Sequence, residues 1–299
     1  MHNKLFSGVM PALITPLQPD GSLNKCVVRR LIDHCLGRGV SGFYICGSTG
    51  EGPVLSEQVR REMAEITVEQ VAGRAAVINH VGAADVPSAI RLAKHAGEIG
   101  CDAISSVPPS FYYDYDENGV CDYYKALADQ CEKPLLVYAT GMFKQADIVP
   151  MIQRLMQIET VIGLKFTRYN YYEMHRIAEL NGGDINVING PDEMLLCGLS
   201  MGADAGIGST YNVMPGEFVK LYNAFRAGDW AAAQRQQYKI NHAIEIILRH
   251  GLFPALKHML TVQGFDAGLP VFPMKRFTPE QEAALMADLK AIRFFEDYQ

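Results

Sequence analysis

Lys165 is the residue in this sequence whose setting most directly suggests chemistry. It lies in Val161-Ile162-Gly163-Leu164-Lys165-Phe166, with apolar neighbours on both sides. Burial disfavours an ammonium group, and the neutral amine attacks carbonyls. Tyr138 closes another apolar run, Leu135-Leu136-Val137. If the two runs are neighbouring strands, a lysine and a tyrosine at their mouths make a nucleophile and a proton shuttle for Schiff-base catalysis. The plainer alternative for Lys165 is a snorkelling lysine at a strand end. Thr167 falls on the same face as Lys165 by strand alternation.

Other segments carry polar groups at comparable positions. In Gly47-Ser48-Thr49-Gly50-Glu51, two hydroxyls flanked by glycines can offer side-chain and backbone donors to a carboxylate. The same residues could form an ordinary turn with locally bonded hydroxyls. Asn189-Gly190-Pro191-Asp192-Glu193 presents paired carboxylates. They could bind polyol hydroxyls, act as acid and base, or merely complement a helix N-terminus. Gly206-Ile207-Gly208-Ser209-Thr210 is not a full dinucleotide fingerprint, because Tyr211 occupies the last glycine position. Pro108-Pro109-Ser110-Phe111-Tyr112-Tyr113-Asp114-Tyr115 is rich in rings. It reads as a lid, a contact with another subunit, or a loop packed on its own rim.

These segments punctuate a regular alternation. Strands are predicted over 5–14, 42–46, 75–81, 102–107, 134–138, 161–166, 185–189 and 203–207. Helices are predicted over 25–38, 56–71, 86–99, 120–131, 147–156, 171–180 and 192–200, with an eighth from Pro215. Ser56 is a favourable N-cap, and Val59, Met63 and Ile66 mark one face of its helix. Short apolar strands alternating with amphipathic helices imply a parallel sheet covered by helices. Eight such units predict an α/β fold, a closed (β/α)8 TIM barrel, with its active site at the carboxyl ends of the strands. After the barrel, residues 1–228, only helices follow: 230–249, 252–262 and 278–295. Residues 229–299 are therefore expected to form a helical extension packed on the barrel.

Composition narrows the function. The chain has 299 residues, 48% hydrophobic and 20% charged, and a formal net charge of −6. Its basic residues are scattered rather than clustered, which argues against nucleic acid as a partner. No apolar run is long enough to span a bilayer, and the start is too soon broken by proline for a signal peptide. Seven cysteines without a CxxC pair suggest free thiols in the cytoplasm. Eight dispersed histidines show no metal-ligand spacing, so neither a metal nor a cofactor is expected.

Gly47-Ser48-Thr49-Gly50-Glu51, Tyr138, Gly163-Leu164-Lys165-Phe166-Thr167 and Gly206-Ile207-Gly208-Ser209, in this order and spacing, resemble the dihydrodipicolinate synthase / N-acetylneuraminate lyase superfamily of class I aldolases. The likeness spans nearly the whole chain. Residues 189–194 and 206–212 look most like the branch that reversibly cleaves sialic acid to pyruvate and N-acetylmannosamine. The resemblance implies an imine at Lys165, proton transfer by Tyr138 and a pyruvate carboxylate held by Ser48 and Thr49. It also implies a sugar pocket lined by Thr167, Gly190, Asp192, Glu193 and Ser209, and a homotetramer in which Tyr112 reaches toward a partner subunit. One segment departs from the pattern. Tyr138-Ala139-Thr140-Gly141-Met142-Phe143-Lys144 lacks the usual Asn-x-Pro and the arginine of the lysine-biosynthetic enzymes. This argues against dihydrodipicolinate synthesis. The alternatives are an aldolase or dehydratase for another 2-keto-3-deoxy sugar acid, a dihydrodipicolinate synthase-like enzyme, or a non-catalytic 2-oxo-acid-binding barrel.

Overall fold

The computed structural model describes residues 4–109 and 113–298. Eight parallel strands run β1 (Gly8–Pro11), β2 (Gly42–Ile45), β3 (Ala76–His80), β4 (Ala103–Ser106), β5 (Leu135–Ala139), β6 (Val161–Phe166), β7 (Asn186–Asn189) and β8 (Ala205–Gly208). From β2 to β8 each strand pairs with the next in sequence, β1 pairs with β8, and a bridge from Ala12 to Tyr44 closes the ring between β1 and β2. This is a (β/α)8 TIM barrel. Between the strands lie α1 (Lys25–Gly37), α2 (Glu57–Val71), α3 (Val86–Glu98), α4 (Glu117–Ala128), α5 (Val149–Leu155), α6 (Tyr171–Ala178) and α7 (Leu195–Ser200), with α8 (Pro215–Arg226) after β8.

Alternation along the strands separates two cores. Met10, Tyr44, Ile78, Leu136, Tyr138, Ile188 and Ile207 pack inside the barrel. Their neighbours Val9, Phe43, Val77, Leu135, Val137 and Val187 face the helices. Small side chains would leave the barrel hollow, so these bulky ones make it a packed core rather than a pore.

Most helix starts follow from capping. Ser56 accepts from Val59 N at 3.2 Å, as its type predicts. Asp116 caps α4 through Gly119 N, which starts that helix at Glu117, three residues earlier than apolar spacing suggested. The predicted first strand is cut to four residues. Beyond it, the Asn212 side chain accepts from Ile14 N and donates to Ala12 O, and the pairing continues as the isolated bridge from Ala12 to Tyr44. The predicted helix over 192–200 splits into a 3₁₀ turn, Asp192–Met194, and α7.

The chain ends in α9 (Trp230–His250), α10 (Leu252–Val262), α11 (Pro279–Ala291) and α12 (Phe294–Asp297). The predicted helix over 278–295 breaks because Arg293 adopts a left-handed φ of 54°. These helices grip the carboxyl-end loops. Lys257 Nζ of α10 lies 2.6 Å from Glu51 Oε1, with the two side chains 1% and 0% exposed. The same Nζ donates to Leu269 O at 3.0 Å, and Glu51 Oε2 accepts from Val271 N at 2.6 Å. On α9, Gln237 donates to Asp192 O and Asn241 to Glu193 O.

Removing one partner of a buried ion pair strands the other charge, at a cost of about 3–5 kcal/mol. Lys257→Met should therefore lower Tm markedly, and adding Glu51→Gln should recover part of the loss. Thermal unfolding of both variants checks this; an unchanged Tm for Lys257→Met would show that the pair holds nothing.

Candidate active site

Tyr138 and Lys165 are partners across the β5–β6 register, so both side chains enter the barrel side by side at its carboxyl end. Both are buried. Lys165 Nζ sits 4.3 Å from the Tyr138 ring centre and 4.4 Å from that of Tyr44. The electron-rich faces of two rings thus hold the amine in place.

Burial alone would push the Tyr138 phenol up. The Lys165 charge, together with the polar groups of Ser48, Lys165 and Thr167 around the phenol, outweighs burial and holds it below its ordinary value. A phenol so lowered is more readily present as phenolate, the form that accepts a proton. Thr167 Oγ1 is buried beside this phenol.

The Gly47-Ser48-Thr49 turn meets this pair from β2. Thr49 Oγ1 lies 2.6 Å from Ser209 Oγ, joining the β2 and β8 ends. Ser48 is exposed toward solvent. His80, on β3, stands against Tyr44 and Tyr138, its ring centre 5.9 Å from that of Tyr138. Its Nδ1 lies 3.2 Å from Cys46 O, and Val107 N donates to its Nε2 at 3.3 Å. These partners assign the proton to Nδ1. Burial, helped by the charges of Arg60 and Lys165, pushes His80 down to about 3, so it stays neutral. With both nitrogens engaged, His80 anchors the backbone ahead of the hydroxyl turn.

Asp192 is also buried. Its Oδ2 accepts from Thr210 N and Thr210 Oγ1, each at 2.6 Å, and its Oδ1 accepts from Ser209 N at 3.2 Å. Burial pushes its carboxyl up to about 6, against the pull of the Thr210 bonds; the Glu193 charge adds to the rise and that of Lys165 opposes it. Asp192 thus fixes the β8 turn that presents Ser209. Gly208 is required here, since a Cβ would stand 2.4 Å from Asp192 Oδ1. Gly190 is required for a similar reason: a Cβ would come within 2.0 Å of Thr167 Oγ1. Glu193 is more open, and its Oε1 accepts from Tyr169 OH at 2.6 Å.

Ser48, Thr49, Tyr138, Lys165, Thr167, Gly190, Asp192, Glu193 and Ser209 thus stand at the carboxyl ends of β2, β5, β6, β7 and β8. Tyr112 lies outside the described residues; its neighbours Tyr113 and Tyr115 are exposed. Sequence reasoning missed Tyr44 and His80. Each is a polar ring on the inward parity of its strand, and that parity is the signal that could have found it. A separate cavity of about 520 Å³, lined by Leu17, Pro254, His258, Leu269, Arg276 and Phe277, touches none of the predicted site residues.

Fold and site together define a (β/α)8 barrel with a lysine amine held between tyrosines at its carboxyl-end mouth. Residues 5–292 match the dihydrodipicolinate synthetase family, and the chain belongs to that family. It is 34% identical over 280 residues to the N-acetylneuraminate lyase of Rhizobium meliloti, covering 94% of this chain and 93% of that one. It is 36% identical over 291 residues to the N-acetylneuraminate lyase of Salmonella typhimurium, covering 97% and 96%. The structure of Proteus mirabilis N-acetylneuraminate lyase superposes with a TM-score of 0.92 at 30% identity, covering 98% of this chain and all of the other. No helix among the described residues is long and apolar enough to cross a membrane.

Proposed function

We propose that this chain is a class I pyruvate-dependent aldolase, a carbon–carbon lyase that reversibly cleaves N-acetylneuraminate to pyruvate and N-acetylmannosamine. The cross-strand pair of Lys165 and Tyr138, with Nζ 4.3 Å from the phenol ring, carries this reading. The activity named for the Rhizobium, Salmonella and Proteus proteins supports the choice of substrate.

In the cleavage direction, Lys165 Nζ, once it has given up a proton, adds to C2 of the open-chain 2-oxo acid, and loss of water leaves an iminium ion. The Tyr138 phenolate takes the C4 hydroxyl proton. The C3–C4 bond breaks, its electron pair forms the C2–C3 double bond of an enamine, and C4 leaves as the aldehyde. Protonation at C3 and hydrolysis release pyruvate and restore the amine. Ser48 and Thr49 hold the carboxylate. Thr167, Gly190, Asp192, Glu193 and Ser209 line the sugar pocket. The enzyme acts in the cytoplasm as a homotetramer.

Incubation with N-acetylneuraminate and with 2-keto-3-deoxy sugar acids, scored by pyruvate release, tests the reading. Preferred release from N-acetylneuraminate supports it; preferred release from a simpler sugar acid replaces it with the generic sugar-acid aldolase. Two variants sharpen the test. Glu193→Gln removes a charged acceptor from the open side of the pocket and should lower kcat/KM for the sugar by about tenfold, with Tm unchanged. Asp192→Ala releases the β8 turn, so it should lower Tm and pyruvate affinity as well. If both variants behave alike, the division of labour between these carboxylates is wrong.

A further inference from the structure

The loop that departs from the family pattern is held by a device with no counterpart in the sequence reading. Arg168, just beyond Lys165 on the strand's outlet, spreads its guanidinium over the 140–148 loop. Nη1 donates to Phe143 O at 2.9 Å, and Nη2 to Gln145 O at 3.1 Å and Ala146 O at 3.4 Å. Nε donates to Glu173 Oε2 at 2.9 Å. The Glu173 side chain is 1% exposed, and its other oxygen accepts from Ile148 N at 2.8 Å. One ion pair therefore fastens four backbone groups of a loop without helix or strand. Arg176 adds a second tie, 2.7 Å from Asp147.

What the loop presents is Met142. Its backbone N–H bonds to Thr140 Oγ1 at 3.1 Å, and its half-buried side chain packs on the barrel-interior cluster that contains Tyr138. In the proposed cleavage Tyr138 takes the proton of the C4 hydroxyl, so the carbon that becomes the aldehyde stands beside Tyr138, and the segment that follows Tyr138 borders that end of the pocket. A loop without the rigidity of proline needs another restraint to form a defined wall there, and a five-donor planar fork gripping carbonyls supplies one.

We propose that the Arg168–Glu173 pair is a clasp that sets the 140–148 loop, with Met142, as one wall of the aldehyde pocket, and so determines which chain lengths of aldehyde the enzyme accepts. Arg168 is a positioning residue; it acts through the loop. The inference rests on the aldolase reading above.

The test is aldol synthesis from pyruvate with two aldehydes, glyceraldehyde and N-acetylmannosamine, for wild type, Arg168→Lys and the double variant Arg168→Met/Glu173→Gln. Lysine keeps a charge beside buried Glu173 but cannot reach three carbonyls. The double variant removes the clasp without stranding a buried carboxylate. Both should raise KM for N-acetylmannosamine by about tenfold while leaving KM for glyceraldehyde and kcat within about twofold, a split that marks lost binding rather than lost chemistry. Pyruvate trapping by borohydride should match wild type. Equal losses on both aldehydes, or a lower Tm with an unchanged aldehyde ratio, would overturn the clasp as a determinant of specificity. A wild type that traps pyruvate yet condenses it with no hexosamine defeats the sialic acid reading itself, and this inference with it.

Discussion

Lys165→Met abolishes turnover. Methionine has similar length and suits a site bounded by Tyr44 and Tyr138, so the barrel keeps its packing and the variant should melt at or above the wild-type temperature. The expected loss is about 10⁴-fold or more, the scale on which enzymes respond to loss of their nucleophile. Among the described residues the other buried lysine, Lys257, is committed to Glu51. The variant has a second, spectroscopic consequence. The Lys165 charge is the foremost influence pulling the Tyr138 phenol down against burial. Without it, Tyr138 should ionise at higher pH, visible as a shift of its titration in ultraviolet difference spectra. Appreciable turnover in this variant would remove the imine from the mechanism.

Tyr138→Phe lowers kcat by about 10²-fold or more, the usual worth of a positioned general acid–base group. The ring is retained, so its contacts with Lys165, Tyr44 and His80 survive and only the hydroxyl is lost. The phenolate is the form that accepts the C4 hydroxyl proton, so wild-type cleavage should rise with pH as Tyr138 ionises. Because the phenol is held below its ordinary value, that rise begins at lower pH than a free tyrosine would give. Phenylalanine should flatten this limb while leaving pyruvate trapping intact. Near-normal kcat, or an unaltered pH limb, would assign the proton transfer elsewhere.

The order of elements was legible because the barrel's strands are short, buried on both faces and separated by helices whose apolar spacing is regular. Lys165 and Tyr138 could be found from one rule, that polar groups at carboxyl ends of strands face the mouth. Their pairing across β5 and β6 confirms that the rule picked neighbours. What stayed hidden depends on long-range contacts. Nothing local marks Lys257 or Gln237 as supports, because their partners Glu51 and Asp192 lie 206 and 45 positions away. Arg168 likewise carries no local mark, since the carbonyls it grips, from Phe143 to Ala146, precede it by 25 to 22 positions. Asp192 shows the same limit: position aimed it at the mouth, but only the structure reveals Thr210 and Ser209 bonded to its carboxylate.

The central claim is that Lys165 forms the covalent bond to the 2-oxo acid, and reduction of that bond tests it most directly. The protein is incubated with pyruvate, reduced with borohydride, digested and mapped by peptide mass. The account predicts one reduced pyruvyl group per chain, on the peptide that contains Lys165, and none when pyruvate is omitted. Absence of the adduct, or its appearance on Lys257 or a surface lysine with Lys165 unmodified, would contradict it.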